Sequence, residues 1–462
     1  MDAISFGTDG WRATLDEFTS ERVRTVAQGI AGHLEAAGRA GDPVAVCHDA
    51  RESSPGFAAD VADVLTANGH DVYRPERDRP TPLLAYAVVD RGLAGGVMVT
   101  ASHNPPAYNG VKFLPADGAP ATPDVTDAIE ANLAPPAEAD DDGARGDVYT
   151  VDFRGPHADH ALSLAGDLVG ADLDGLPVVY DAMHGSGRGV TDRLLERAGA
   201  DVTRVRCDRD PAFGGTGPDP VPENLGPLRE AVAEAGATLG VANDGDADRV
   251  AVVTPDGALG GSQLFAVLYD ALLEAASGPA VRTVSTTFLV DRIAEAHGES
   301  VVETPVGFKW VAEAMAEHDA LLGGEESGGY SVRGHVREKD GVLVGLLAAA
   351  VAAERPLADR LADLYEAHGE IRQGRVSVDC PDERKPAVLE ALGDALPDRV
   401  AGVAVDRVVD VDGFKILLAD GSWLLVRPSG TEPALRVYAE ADGEDRVEAL
   451  LAAGRDLVAP LV

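Results

Sequence analysis

The hydrophobic positions of this chain repeat one plan over its first three-quarters. LTANGHDVYR (65–74), LERAGADVTR (195–204) and AEAHGESVVE (294–303) each read as the end of an amphipathic helix, a glycine, and a short β-branched strand. Gly69, Gly199 and Gly298 stand where a helix C-terminus wants a left-handed residue. Upstream of each helix lies another apolar run: PVAVCHD (43–49), LPVVYDA (176–182) and RTVSTTF (282–288). Strand, helix, strand, three times over, predicts three related α/β domains with mainly parallel sheets. In such sheets the ligand loops lie at the carboxyl ends of the strands.

The pattern then changes. GRVSVD, VDRVVDVD, FKILLAD and SWLLVR alternate with period two, and Asp420-Gly421 reads as a hairpin turn. A helix at 385–393 and a final one, EDRVEALLAAGRDLV, flank these strands. The last ninety or so residues are therefore expected to form an α+β domain with an antiparallel sheet. A linker rich in Pro, Ala and Asp, APPAEADDDGARGD (134–147), marks the first boundary. The expected domains are 1–140, 148–256, 257–367 and 368–462.

Length and composition agree with this division. The 462 residues exceed what one core holds, and 45% hydrophobic with 25% charged is ordinary for a globular chain. Charge is not ordinary: 78 acidic against 39 basic residues give a formal net charge of −39, spread along the whole sequence. Only 5 of the basic residues are lysine. A uniformly acidic, lysine-poor surface resembles that of proteins from salt-loving organisms, where salt screens self-repulsion. It argues against a nucleic-acid partner, whose phosphates would be repelled. Scarce lysine also makes each survivor a candidate for work arginine does not do, such as proton transfer.

Cys47, Cys207 and Cys380 are widely spaced with no CxxC, which fits reduced thiols. MDAISFGTDGWRA is not a signal peptide. The longest apolar run, GVLVGLLAAAVAA (341–353), is shorter than the ~18 residues of a membrane span. A cytoplasmic protein without membrane contact is the expectation, monomeric or a small homo-oligomer.

Four loops carry candidate chemistry. In TASHNPPAYNGVKF (100–113), Ser102 follows the apolar strand GGVMVT (95–100), with His103 and Lys112 close by. This serine is either a phosphate-carrying nucleophile or an ordinary turn residue. In NDGDADRV (243–250), Asp244, Asp246 and Asp248 alternate, so extended backbone would turn their carboxylates to one side. At ~4 Å each such pair repels by roughly 1 to 4 kcal/mol, which a hard divalent cation relieves. An EF-hand does not fit, since Arg249 and Pro255 occupy its sixth and twelfth positions. An acidic turn is the plainer alternative. RPSGTEP (427–433) offers Arg427, Ser429, Gly430 and Thr431, an anion nest or else a β-turn. GGEESGGY (323–330) sets Glu325 and Ser327 among glycines, which suits hydroxyl recognition on a sugar. GSGRG (185–189) lacks the third glycine of the dinucleotide fingerprint.

These motifs, in this order, resemble the α-D-phosphohexomutase family (phosphoglucomutase/phosphomannomutase). FGTDGWR (6–12), PENL (222–225), PVGFK (305–309) and EKDG (338–341) extend the resemblance over essentially the whole chain. It implies a heart-shaped four-domain molecule: three related α/β domains and a C-terminal α+β domain resembling the TATA-binding-protein fold. It implies Ser102 as phosphoserine donor and Asp244, Asp246 and Asp248 as Mg²⁺ ligands, the phosphoserine completing the site. Arg12, His103, Lys112 and Arg249 match positions around the transferring phosphoryl group, Lys309 a substrate-contacting lysine, and Glu325 and Ser327 the hydroxyl readers. Arg427, Ser429, Gly430 and Thr431 match the clamp on the non-reacting phosphate. The implied reaction moves a phosphoryl group between the 1- and 6-positions of a hexose phosphate through a hexose 1,6-bisphosphate. Some members carry a histidine where this chain has Gly329; EES resembles glucose-handling members. The expected sugar order is glucose, mannose, glucosamine. A silent sugar-phosphate-binding relative and a phosphoserine hydrolase are the rival readings.

Overall fold

Four sheets follow one another along the chain in the computed structural model, which describes residues 4–7, 10–136, 145–170, 172–430 and 432–462. The first has strand order Trp11–Thr14, Tyr108–Pro115, Gly95–Val99, Val44–His48, Val72–Arg74, Val148–Thr150. Its last four strands are parallel and the first two antiparallel. The second runs Gly257–Leu259, Val250–Thr254, Leu239–Asn243, Pro177–Asp181, Asp201–Val205, and the third Val301–Thr304, Ala280–Thr283, Leu322–Gly324, Tyr330–Val332. Each pairs three strands in parallel and closes on antiparallel neighbours. The fourth, six-stranded sheet is antiparallel throughout. It includes the hairpin of Phe414–Leu418 and Trp423–Pro428, turned at Gly421 with φ 82°.

The helix stops expected at glycine are found: Gly69, Gly199 and Gly298 have φ of 85°, 105° and 74°. Two details differ from the sequence reading. RTVSTTF is not a strand over its length; the strand is Ala280–Thr283, and a turn follows. Just past the strand end, the Ser285 hydroxyl donates to the Glu326 carboxylate at 2.7 Å, a side-chain bond that competes with continuation of the strand. Strand Val148–Thr150 pairs with Val72–Arg74, and Gly257–Leu259 with Val250–Thr254, so three residues at each expected domain edge belong to the preceding sheet.

A continuous core joins the first three sheets around helix Gly341–Glu354, of which 12 of 14 residues are buried. The apolar run 341–353 is thus a core helix. Among the described residues no single helix is long and apolar enough to cross a membrane.

Candidate active site

Strand Gly95–Val99 is buried at every position and runs directly into the serine loop. Ser102 itself sits at φ 51°, a conformation costing roughly 1–3 kcal/mol outside glycine. Arg51 holds it there. Its buried guanidinium pairs with Asp49 at 2.9 Å and donates to four loop carbonyls: Pro105 at 2.7, Tyr108 at 3.0, Ser102 at 2.9 and Asn104 at 2.7 Å. The Ser102 amide donates to Thr100 Oγ1 at 2.8 Å. The hydroxyl is left facing another unit: Oγ donates to Asp244 Oδ2 at 2.7 Å and lies 3.3 Å from His103 Nδ1.

The three aspartates do converge, but through a turn and not the extended backbone expected. Ala247 takes φ 53° and its amide reaches the Asp244 carbonyl, so the chain doubles back and points the carboxylates inward. Gly245 makes the contact with the serine loop possible, since a Cβ there would lie 2.5 Å from the Ser102 carbonyl oxygen. All three carboxylates are buried, with donor atoms within 4.8 Å of one another. Thr81 Oγ1 donates to Asp246 Oδ2 at 2.6 Å, and Lys112 Nζ donates to Asp246 and Asp248, both at 2.9 Å. Oδ1 of Asp246 and Oδ1 of Asp248 are buried without a hydrogen-bond partner. Buried, converging oxygens short of donors fit a hard divalent cation.

Charge in this site is unevenly answered. Burial, with Asp248 and Asp246 beside it, pushes the Asp244 carboxyl well above the usual carboxylate range. Burial opposes the Asp248 charge too, yet Lys112, Lys339 and Arg249 hold that group well below the range. The Arg249 charge, then burial and Arg12, lower His103 to about 2, so its ring is a neutral imidazole. Arg249 donates its amide to Asp244 Oδ1 at 3.1 Å, and Arg12 reaches Asn104 Oδ1 at 3.1 Å.

Lys339 was not singled out from sequence, although lysine scarcity pointed to it. Its Nζ lies 3.5 Å from Asp248 Oδ2 and 3.1 Å from Glu338, over the Phe308 ring. It occupies the room a side chain at Gly329 would need: a Cβ there would lie 2.4 Å from Lys339 Cδ. Arg51 carried no sequence signal at all, because its work is on main-chain oxygens.

The remaining candidates line other loops. Glu325 is buried at the end of strand Leu322–Gly324, accepts from the Gly307 amide at 3.0 Å, and acts on the Arg249 charge. Ser327 is exposed, and Lys309 is half-buried with Nζ over the Trp310 ring. Arg427 is buried and bonded to Asp412 at 2.8 Å; Asp412 also accepts from the Val306 amide, which ties this loop to PVGFK. Lys385 braces the turn from below, donating to the carbonyls of Ser429 at 2.7 Å and Glu432 at 2.6 Å. Gly430 is exposed, and Thr431 lies outside the described residues. His335 falls away from this group and hydrogen-bonds Asp340.

Four family models match in order. They describe phosphoglucomutase/phosphomannomutase alpha/beta/alpha domains I, II and III, over residues 3–139, 157–257 and 260–368, and the C-terminal domain, over 376–457. A protein of Methanopyrus kandleri, provisionally named a phosphoglucosamine mutase, is 35% identical over 451 residues, 96% of this chain and 95% of its own. The chain belongs to the phosphoglucomutase/phosphomannomutase family. A phosphoglucosamine mutase of Frankia alni is 34% identical over 454 residues, covering 95% and 94% of the two chains. A solved structure from Thermus thermophilus, provisionally assigned as a phosphomannomutase, superposes with a TM-score of 0.86 at 33% identity over 99% of this chain and all of that one. This phosphohexomutase is therefore an isomerase-class enzyme with the four-domain architecture of its family.

Proposed function

We propose that this phosphohexomutase interconverts the 1- and 6-phosphates of glucosamine through a phosphoserine at Ser102. The observation that carries the reaction is the 2.7 Å hydrogen bond from Ser102 Oγ to Asp244, inside the buried carboxylate triad. A hydroxyl in that position becomes, once phosphorylated, an anion of about two charges against a carboxylate cluster suited to a cation. Asp244, Asp246 and Asp248 would hold Mg²⁺ there, where it supplies charge neutralisation for the phosphoryl oxygens.

This chain's own groups account for the rest. Phosphoserine 102 gives its phosphoryl group to the 6-hydroxyl of the hexose 1-phosphate, and Ser102 Oγ recovers the proton that hydroxyl loses. The bisphosphate turns over, and its 1-phosphate returns to Ser102. Neutral His103, 3.3 Å from Oγ, is a hydrogen-bond partner for that oxygen, while the Arg249 and Arg12 charges that hold the ring neutral make it a poor proton carrier. Arg249, Lys112 and Lys339 offset charge on the moving group. Arg427, Ser429 and Gly430 receive the phosphate that does not react, and Glu325 and Ser327 read the sugar hydroxyls.

The sugar rests on the relatives. Glucose ranked first on the EES motif, but the relatives above with mutase names at 34–35% identity are phosphoglucosamine mutases, so glucosamine moves to the head of the order. Turnover of the 1-phosphates of glucosamine, glucose and mannose, side by side, tests this. The assay contains molar KCl, Mg²⁺ and a trace of each matching 1,6-bisphosphate, and follows both 6-phosphate and free phosphate. The highest kcat/KM is expected for glucosamine 1-phosphate. A clear preference for glucose would restore the order read from sequence. Free phosphate without isomer would mean a hydrolase, and no turnover a binding relative.

A further inference from the structure

Three of the chain's 11 histidines gather one residue beyond Lys339. His157 and His160 stand one turn apart on helix Arg154–Val169, and His335 follows strand Tyr330–Val332. Between them is Asp340. Its Oδ1 accepts from the amides of Val342 and Leu343, both at 2.8 Å, and caps helix Gly341–Glu354. That fixes Oδ2 toward two imidazoles, with His157 Nε2 at 2.6 Å and His335 Nε2 at 2.8 Å. The three side chains are no more than 1% exposed, and the three atoms lie within 4.8 Å of one another.

Hydrogen bonding leaves this cluster incomplete. His335 Nδ1 and His160 Nε2 are buried without a partner, each a cost of about 1–3 kcal/mol. The His160 ring lies 5.2 Å from that of His335. Two imidazoles and an aspartate, with the carboxylate pre-oriented through its other oxygen, match the donor set and outer-shell support of a three-ligand zinc-type site. Mixed nitrogen and oxygen donors also set it apart from the all-oxygen triad, which suits a harder ion.

We propose that His157, His335 and Asp340 form a second metal site, for a zinc-class divalent ion, which ties helix Arg154–Val169 to the loop that delivers Lys339. Nε2 of each histidine and Oδ2 of Asp340 are the ligands. A water, or His160 after side-chain rotation, takes the fourth position. On binding, Nε2 of each ring gives up the hydrogen it shares with Asp340 Oδ2, and the ring carries its hydrogen on Nδ1.

Protein stripped of transition metals, and held in excess Mg²⁺ so that the triad is filled, is titrated with Zn²⁺ by calorimetry and with Co²⁺ by visible absorption. One site is expected, with the strong visible bands of four-coordinate cobalt. It should persist in Asp244→Asn and weaken at least roughly tenfold in His157→Gln. His335→Gln gives a second reading, with circular dichroism confirming that each variant folds. X-ray absorption of the zinc-loaded wild type needs no variant: two imidazoles in the coordination shell support the proposal. Carboxylate-only coordination, a site lost in Asp244→Asn but kept in His157→Gln, or no binding above the Mg²⁺ background would overturn it.

Discussion

Gly329 and Lys339 act as one unit. The missing side chain of the first is the space in which the second lies, and Lys339 Nζ thereby reaches Asp248. Gly329→Ala should push this ammonium off the triad and lower kcat by about ten- to a hundredfold, with KM changed far less. Lys339→Met should give the same pattern; steady-state kinetics showing kcat unchanged in both would detach Lys339 from the chemistry. Ser102→Ala should abolish turnover and phosphoryl incorporation while circular dichroism and sugar-phosphate binding stay near wild type. Activity close to wild type in that variant would sink the phosphoserine assignment. Three of the other four lysines are as purposefully placed: Lys112 between two aspartates, Lys385 under the RPSGTEP turn, and Lys415 at a seam between sheets.

That seam is best seen at the scale of elements. Lys415, on strand Phe414–Leu418, reaches Glu303 on strand Val301–Thr304 at 2.7 Å, with the Phe288 and Trp423 rings beneath it. Arg282 shares the same Glu303 oxygen, and Glu440 faces the group from the other side. Burial, then the Arg282 charge, lower Lys415 to about 8, whereas an unfolded chain holds the proton to about 10.4. Between those values the unfolded state binds more protons, so stability should rise with pH, by about 3 kcal/mol at most. Denaturant melts of wild type and Lys415→Met across this window should differ by that slope; a constant difference would mean the lysine titrates normally.

Elements also show what was legible in advance. The helix stops at Gly69, Gly199 and Gly298 were readable because a left-handed φ selects glycine whatever surrounds it. RTVSTTF reads as one strand but stops at Thr283, because the next hydroxyl, that of Ser285, has a partner, Glu326, that is distant in sequence. The aspartates were recognisable by spacing, but their geometry was not, since Ala247 turns the chain where alternation suggested a straight strand. Arg51 and the Asp340 cluster were invisible for a related reason: each is assembled from segments that meet only in the fold.

For the whole molecule the dominant quantity is the net charge of −39. Screening shortens the reach of each surface charge from ~10 Å at 0.1 M salt to ~3 Å at 1 M. The melting temperature should therefore climb steadily as KCl is raised into the molar range, and a flat or falling trend would remove the case for salt adaptation. The buried pairs, such as Arg51 with Asp49, lie out of reach of that screening.

Ser102 and its aspartate partners belong to different units, joined at this point by one short hydroxyl–carboxylate contact, by Thr81 on Asp246 and by Lys112 on Asp246 and Asp248. The phosphate proposed for Ser102 would replace that contact with like charges facing across a joint that Lys112 answers only in part. A phosphorylated enzyme would then lean on a cation, beside Lys112, as mortar between its first two units, whereas the unmodified enzyme closes that joint by itself. Loading the serine, as proposed above, would thus do more than store a group for transfer: it would tie the cohesion of the molecule to the ion that the proposed transfer uses.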